Sequence, residues 1–293
     1  MRVNNQSGFT LVEMIMVIVI TGILGSMAAV FLRAPVQQFM DAGLRADLTD
    51  IADLALRRMA NEIRTAVPSS VRVTGTDPIY IEFLPTKDGG RYRAVSGVGA
   101  CGGSAEGDAL LFGSAVADTC FEILGPAITF SNPTAVVDQI VVGSNQPGVD
   151  PYDTGVSGGL RAYDGASGVQ PIVVITGNPL PAAAAASNQR FEVVPGDQRA
   201  VTYACSGPFG TLDANQDGQG KLVRYWNYGF AHAYTGGLSA VLANKLYTCS
   251  VVVDQSRGLL ANTLQFARAS EVISLYQEIH VNNASSIHVH NTP

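Results

Sequence analysis

The sequence predicts an α+β fold, a long N-terminal helix packed on an antiparallel, β-rich head, and three observations predict it. Residues Phe9 to Leu32 are 24 consecutive positions with a single charge, Glu13. The stretch Val36 to Val67 carries apolar residues at helical spacing, and from Val71 onward the apolar period shortens to two. Composition fits a folded, turn-rich chain, with 293 residues, 47% hydrophobic, 31 glycines and 14 prolines spread without a period. The 14% charged share lies well below the roughly 25% of an average soluble domain and excludes a disordered polyelectrolyte. A net charge of −6 gives no electrostatic reason to expect a nucleic-acid partner.

The apolar run is the first element. As a helix, its 24 residues extend about 36 Å, enough to cross a hydrocarbon core of roughly 30 Å. A cleaved secretory signal would have a shorter apolar stretch and a small-residue cleavage site after it, and neither is present. Glu13 needs a partner or an escape route, because a charge deep in a membrane helix costs on the order of 2.5–3.5 kcal/mol. One solution is snorkelling to the headgroups. Another begins with a cut between Gly8 and Phe9, which creates an α-amine one helical turn from the Glu13 carboxylate, in the same chain or a neighbouring one.

Gly8-Phe9-Thr10-Leu11-Val12-Glu13-Met14, behind a short polar leader and ahead of an apolar helix, resembles the class III signal of type IV prepilins and type II secretion pseudopilins. The resemblance implies a type IV pilin-like fold and removal of residues 1–8 by a prepilin peptidase on the cytoplasmic face. It also implies N-methylation of Phe9, and docking of Glu13 onto the Phe9 amine of an adjacent subunit during assembly. Residues 9–35 then form the transmembrane helix. Gly22 with Ser26, and Gly25 with Ala29, follow the small-xxx-small spacing that lets helices approach closely in lipid, a spacing that simple tolerance of glycine also explains. Arg2 and Arg33 flank the span, so charge alone does not orient it.

Pro35 predicts a bend, and residues 36–67 a second, amphipathic helical segment ended by Pro68. Its apolar stripe is Phe39, Leu44, Leu48, Ile51, Ala55, Met59 and Ile63. Asp41/Arg45 and Asp53/Arg57 are acid-first i,i+4 pairs, and Asp41, Asp47, Asp50 and Asp53 load the first half while Arg57, Arg58 and Arg64 load the second. Residues 68–293 form the head. Its candidate strands are Pro78–Leu84, Ala109–Phe112, Cys120–Leu124, Gln139–Val142, Ile172–Thr176, Arg190–Val194, Val201–Cys205 and Leu222–Tyr228. Leu246–Val253, Leu259–Ala267 and Glu271–Val281 read as an antiparallel meander, with Ile273, Leu275, Ile279 and Val281 on one face. Gly143–Gly168 and Pro179–Asn188 read as loops, the former a natural filament-surface contact.

The segments Asp53-Leu54-Ala55-Leu56-Arg57-Arg58-Met59-Ala60, Val201-Thr202-Tyr203-Ala204-Cys205 leading to Leu222-Val223-Arg224-Tyr225-Trp226, and Glu278-Ile279-His280-Val281-Asn282-Asn283 resemble the MSHA biogenesis protein O family of minor prepilins. That family serves the mannose-sensitive haemagglutinin type IV pilus and is related to the J-type pseudopilins of type II secretion. The resemblance implies a minor prepilin anchored in the inner membrane, with a periplasmic head that reaches the pilus or cell surface after assembly. Its implied partners are other pilins and minor pilins, the prepilin peptidase, the inner-membrane assembly platform and membrane lipid. The alternatives are a J-type pseudopilin and a membrane-anchored adhesin.

Four cysteines, none spaced C-x-x-C, argue against a zinc or redox site and, in an exported head, for disulfides. Of three connectivities, Cys101 with Cys120 and Cys205 with Cys249 close the smaller loops; four buried free thiols are the alternative. Asp213, Asn215 and Asp217 match the first half of a calcium loop, but its twelfth position is Arg224 in place of the bidentate glutamate, so an Asx-rich hairpin turn is the competing reading. No other cofactor is expected. His232 reads as structural, and His288 and His290 lie in a polar tail. Gly155-Val156-Ser157-Gly158-Gly159 fits G-x-S-x-G but lacks a preceding strand and following helix, and no other catalytic motif is present. The chain is expected to be structural, with no enzymatic activity.

Overall fold

A computed structural model describes residues 10–95, 101, 109–113, 115, 117–133, 136–230, 237–254 and 257–281. Helix α1 runs Leu11–Arg64, 54 residues, about 81 Å at 1.5 Å per residue. Thr10 caps it, its side-chain oxygen accepting from the Glu13 N–H at 3.3 Å. Pro35 lies inside α1, which is one continuous helix, so the two helical segments expected on either side of it form a single element. A proline removes a single N–H and crowds the preceding turn, and good helix-forming sequence on both sides outweighs that loss here.

The two halves of α1 meet different surroundings. Residues Leu11–Arg33 are exposed all round, whereas Leu48, Ala52, Ala55, Leu56, Met59, Ala60 and Ile63 are buried on the head. Two members of the expected stripe lie outside this contact: Phe39 is 82% exposed and Ile51 44%. Phe39 precedes the part of α1 that is buried on the head, and Ala52, four residues after Leu48, takes the place that three-residue spacing had assigned to Ile51. Asp53 and Arg57 pair at 2.6 Å as the i,i+4 spacing predicts, but Arg45 turns from Asp41 to Glu271 at 2.6 Å.

The surface beneath α1 is a seven-stranded antiparallel sheet in the order β1 (Arg72–Thr74), β2 (Ile79–Phe83), β11 (Val201–Ser206), β12 (Gly220–Trp226), β13 (Leu238–Asp254), β14 (Leu259–Arg268), β15 (Glu271–His280). The predicted C-terminal meander is its last three strands, and Ile273, Leu275, Ile279 and Val281 point together into the core under the helix. Leu260, Leu264 and Phe266 of β14 and Phe83, Tyr203 and Leu222 complete that core. Strand β13 starts eight residues earlier than expected, because its first half pairs with β12.

A second sheet of six strands has the order β3 (Asp88–Arg91), β10 (Arg190–Val194), β6 (Gln139–Val142), β7 (Leu160–Tyr163), β9 (Ile172–Thr176), β4 (Cys120–Glu122). One face carries an aromatic core of Tyr92, Phe121, Phe130, Tyr163 and Phe191. The other face presents Val141, Leu160 and Val194 to Val67, Leu84 and Ala200, which joins the two layers. A two-stranded ribbon, β5 (Ile128–Phe130) with β8 (Gly168–Gln170), lies beside it. Three expectations are corrected here. Ala109–Phe112 forms only an isolated bridge, Ala109 with Arg93. The Gly143–Gly168 loop contains the buried strand β7. Pro179–Asn188 contains a short 3-10 helix, Ala182–Ala186, whose Ala184 packs so close to Gly143 that a Cβ there would lie 2.5 Å from it.

The remainder of the Gly143–Gly168 loop braces the two layers. Tyr152 donates to Ser70 O at 2.8 Å and lies under the Arg72 guanidinium, 3.6 Å from ring centroid to carbon. Burial, then the nearby Glu82, raises the Tyr152 pKa well above its ordinary value, so the phenol keeps its proton and donates. Arg161, 2% exposed, donates to the carbonyls of Gly155, Leu160, Asn178 and Pro179 and ties both loops together.

Candidate assembly site

The exposed half of α1 is built for contact with something other than the head. The most apolar stretch of the helix has no residue buried against the protein, and Leu11, Val30 and Phe31 are each at least 70% exposed. An apolar helix exposed all round is stable only in lipid or among other apolar helices. Its polar groups are satisfied internally: Thr21 Oγ1 donates to Val17 O at 2.6 Å and Ser26 Oγ to Ile23 O at 2.8 Å. Little beyond Glu13 is left to repel lipid.

Glu13 occupies the first turn, exposed, its N–H held by Thr10. The T-x-x-E spacing is a capping-box pattern visible in the sequence, and it marks Thr10 as the residue that sets where Glu13 stands; that signal went unread. A carboxylate here also meets the positive end of the helix dipole. Gly22, Gly25, Ser26 and Ala29 lie along one exposed side of α1, and a Cβ built on either glycine meets nothing within 4 Å. Nine residues at about 100° each separate Glu13 from Gly22, so the carboxylate and the small-residue seam face opposite sides of the helix. In a bundle the two features address different neighbours. Gly8 and Phe9 lie outside the described residues.

In the head, the structure joins Cys101 to Cys120 and Cys205 to Cys249. Asp213, Asn215 and Asp217 come together, but as a turn closed on itself. Asp213 Oδ1 accepts from the Asn215 and Asp217 N–H groups at 2.8 and 2.9 Å. Asp217 takes Lys245 Nζ at 2.6 Å and the Ala269 N–H at 2.9 Å, and the lysine hydrogen bond holds its carboxyl below the usual range. A lysine ammonium and backbone donors thus occupy Asp213 Oδ1 and both Asp217 carboxylate oxygens, and among the described residues no cluster of three or more His, Cys, Asp or Glu side chains is arranged to hold a metal. Ser157 of the G-x-S-x-G segment donates to Asp153 at 2.9 Å within a turn. His280 is exposed on β15, while His232, His288 and His290 fall outside the described residues.

Residues 3–29 match the model of the prokaryotic N-terminal methylation motif. That motif places the chain in the type IV pilin and pseudopilin superfamily. No curated protein and no solved structure matches the chain at a significant level. The fold agrees with the motif, a pilin-like α+β arrangement of a long N-terminal helix on antiparallel sheets. As a prepilin the chain carries the signal for cleavage by a prepilin peptidase and for assembly with other pilins, and its exposed helix is the anchor of an inner-membrane pilin. Pilins are structural proteins without enzymatic activity.

Proposed function

We propose that the chain is a minor prepilin of an MSHA-type pilus, cleaved between Gly8 and Phe9, methylated on Phe9, and incorporated into the filament or used to prime it. The observation that carries this reading is the methylation motif over residues 3–29 leading straight into a helix whose apolar half touches nothing of its own head. The head segments resembling the MSHA biogenesis protein O family support the branch. Residues 9–35 span the inner membrane, residues 36–67 continue the spine, and residues 68–293 form a periplasmic head carried to the pilus surface.

In this reading Glu13 offsets its charge against the Phe9 amine of the next subunit, an ion pair worth most in the low dielectric of a helix bundle. The Gly22, Gly25, Ser26 and Ala29 side lets a different neighbouring helix approach closely. Glu13→Ala is therefore expected to be processed normally yet to be lost from sheared filaments, measured by immunoblot of membrane and filament fractions. Incorporation at the unsubstituted level contradicts the docking role.

A further inference from the structure

We propose that the outer edge of β15 docks an extended segment of another subunit of the same assembly, by main-chain pairing and by an asparagine or glutamine side chain placed beside Gln277. This rests on the assembly reading above. The sheet edges are unequal: β1, β3 and β4 are three or four residues long, whereas β15 runs for ten. Its pairing with β14 is unbroken from Arg268 opposite Glu271 to Leu259 opposite His280, with no bulge. It contains no proline, and among the described residues no strand lies beyond it. Folded proteins normally blunt such an edge with a bulge, a proline, a charge or a cover, because its free N–H and C=O groups template another strand. Here only Glu271 and Glu278, near the ends, carry charge.

The chemistry of the occupant follows from what lies between α1 and β15. A groove of about 340 Å³ is lined by Asp53, Arg57, Ala60, Asn61, Arg64 and Gln277. Asn262 and Gln277 are cross-strand partners. Asn262 is 1% exposed, and both its side-chain polar atoms, together with Gln277 Oε1, are buried without a hydrogen-bond partner. A buried amide group left without a partner costs the full desolvation of that group, so a donor beside Gln277 is favoured. A strand added outside β15 puts one side chain in the row after Asn262 and Gln277. An amide there gives an N–H to Gln277 Oε1, extends the row as an amide ladder, and leaves its carbonyl for the arginines of the groove. A carboxylate has no donor to give and an apolar side chain leaves the row unsatisfied.

The test is amide hydrogen exchange over residues 271–280, read by mass spectrometry on the full chain in detergent micelles and in sheared filaments, and on a chain ending at Val281. At least tenfold slower exchange in filaments than in micelles is expected for both chains. Gln277→Ala, with an unchanged melting temperature, is expected to lose most of that protection; full retention removes the amide role. Equal exchange in micelles and filaments overturns the docking edge while leaving the assembly reading intact. Protection already present in micelles and lost on truncation assigns the edge to residues 282–293 and also overturns it. Absence of the chain from filaments defeats the assembly reading, and the docking edge with it.

Discussion

At the scale of single residues, Glu192 is a charged group that folding disfavours. It sits on β10 between Gly89 of β3 and Val141 of β6, on the face turned to the end of α1, with Thr65, Thr86 and Lys87 lining the same cleft. Burial raises its pKa from 4.5 to about 7, with Arg190 opposing. Because the folded value lies above the unfolded one, the folded state binds the extra proton between those limits. The stability that the protonated form gives is complete below about pH 4.5 and lost as pH rises through 7, at most about 3 kcal/mol. A thermal melt series from pH 4 to 8 is expected to show that decline, and Glu192→Gln to flatten it. A slope unchanged in the variant would refute the assignment. Arg161 makes the opposite case, a buried cation satisfied by four carbonyls of two loops. Arg161→Met orphans them and is expected to cost about 3 kcal/mol or more in denaturant unfolding.

At the scale of elements, what was legible in the sequence was what local pattern decides. The apolar run, the amphipathic spine and the last two strands of the C-terminal meander each stand in the structure close to their expected bounds, whereas β13 begins eight residues before its own. The strands β1, β3, β5, β7 and β8 were not legible. Each has three or four residues, too few to show a period, and Asp88-Gly89-Gly90-Arg91 has the composition of a turn. They exist because longer neighbours supply the pairing: Gly89 and Gly90 face Glu192 and Phe191 of β10, and Phe191 ring atoms come within 3.0 Å of a Cβ built on Gly90. The Cys205–Cys249 bond links β11 to β13 across the intervening β12 and closes 44 residues. Replacing both cysteines by alanine is expected to lower stability by about 2–4 kcal/mol, read from the denaturant midpoint under oxidising conditions. An unchanged midpoint would mean that the sheet alone fixes this register.

At the scale of the whole molecule, the head is two sheets joined by a small apolar seam, Val67, Leu84, Val141, Leu160, Val194 and Ala200, and by the Tyr152 brace. Local pattern did not divide the strands between two sheets, because the order of the second is set by contacts between segments more than fifty residues apart, such as β3 with β10. The brace gives the Gly143–Gly168 loop, expected as a filament-surface contact, a part in holding the layers together. Tyr152→Phe removes the bond to Ser70 O and is expected to cost about 1 kcal/mol in thermal unfolding, with the Cys205–Cys249 region unaffected. An unchanged melting temperature would contradict the brace. For the candidate site the division runs the other way. The motif that holds Gly8, Phe9 and Glu13 was legible, because a processing signal is linear sequence, and the roles proposed for those residues rest on it. What the fold adds is that the anchor is left wholly exposed beyond the head, with Glu13 and the seam on opposite sides. The most direct measurement is mass spectrometry of the mature N-terminus on protein purified from the membranes of cells that produce the full chain with an active prepilin peptidase. The expected result is a chain that begins at N-methylated Phe9. An intact Met1, or an N-terminus at any residue other than Phe9, contradicts assembly as a processed pilin.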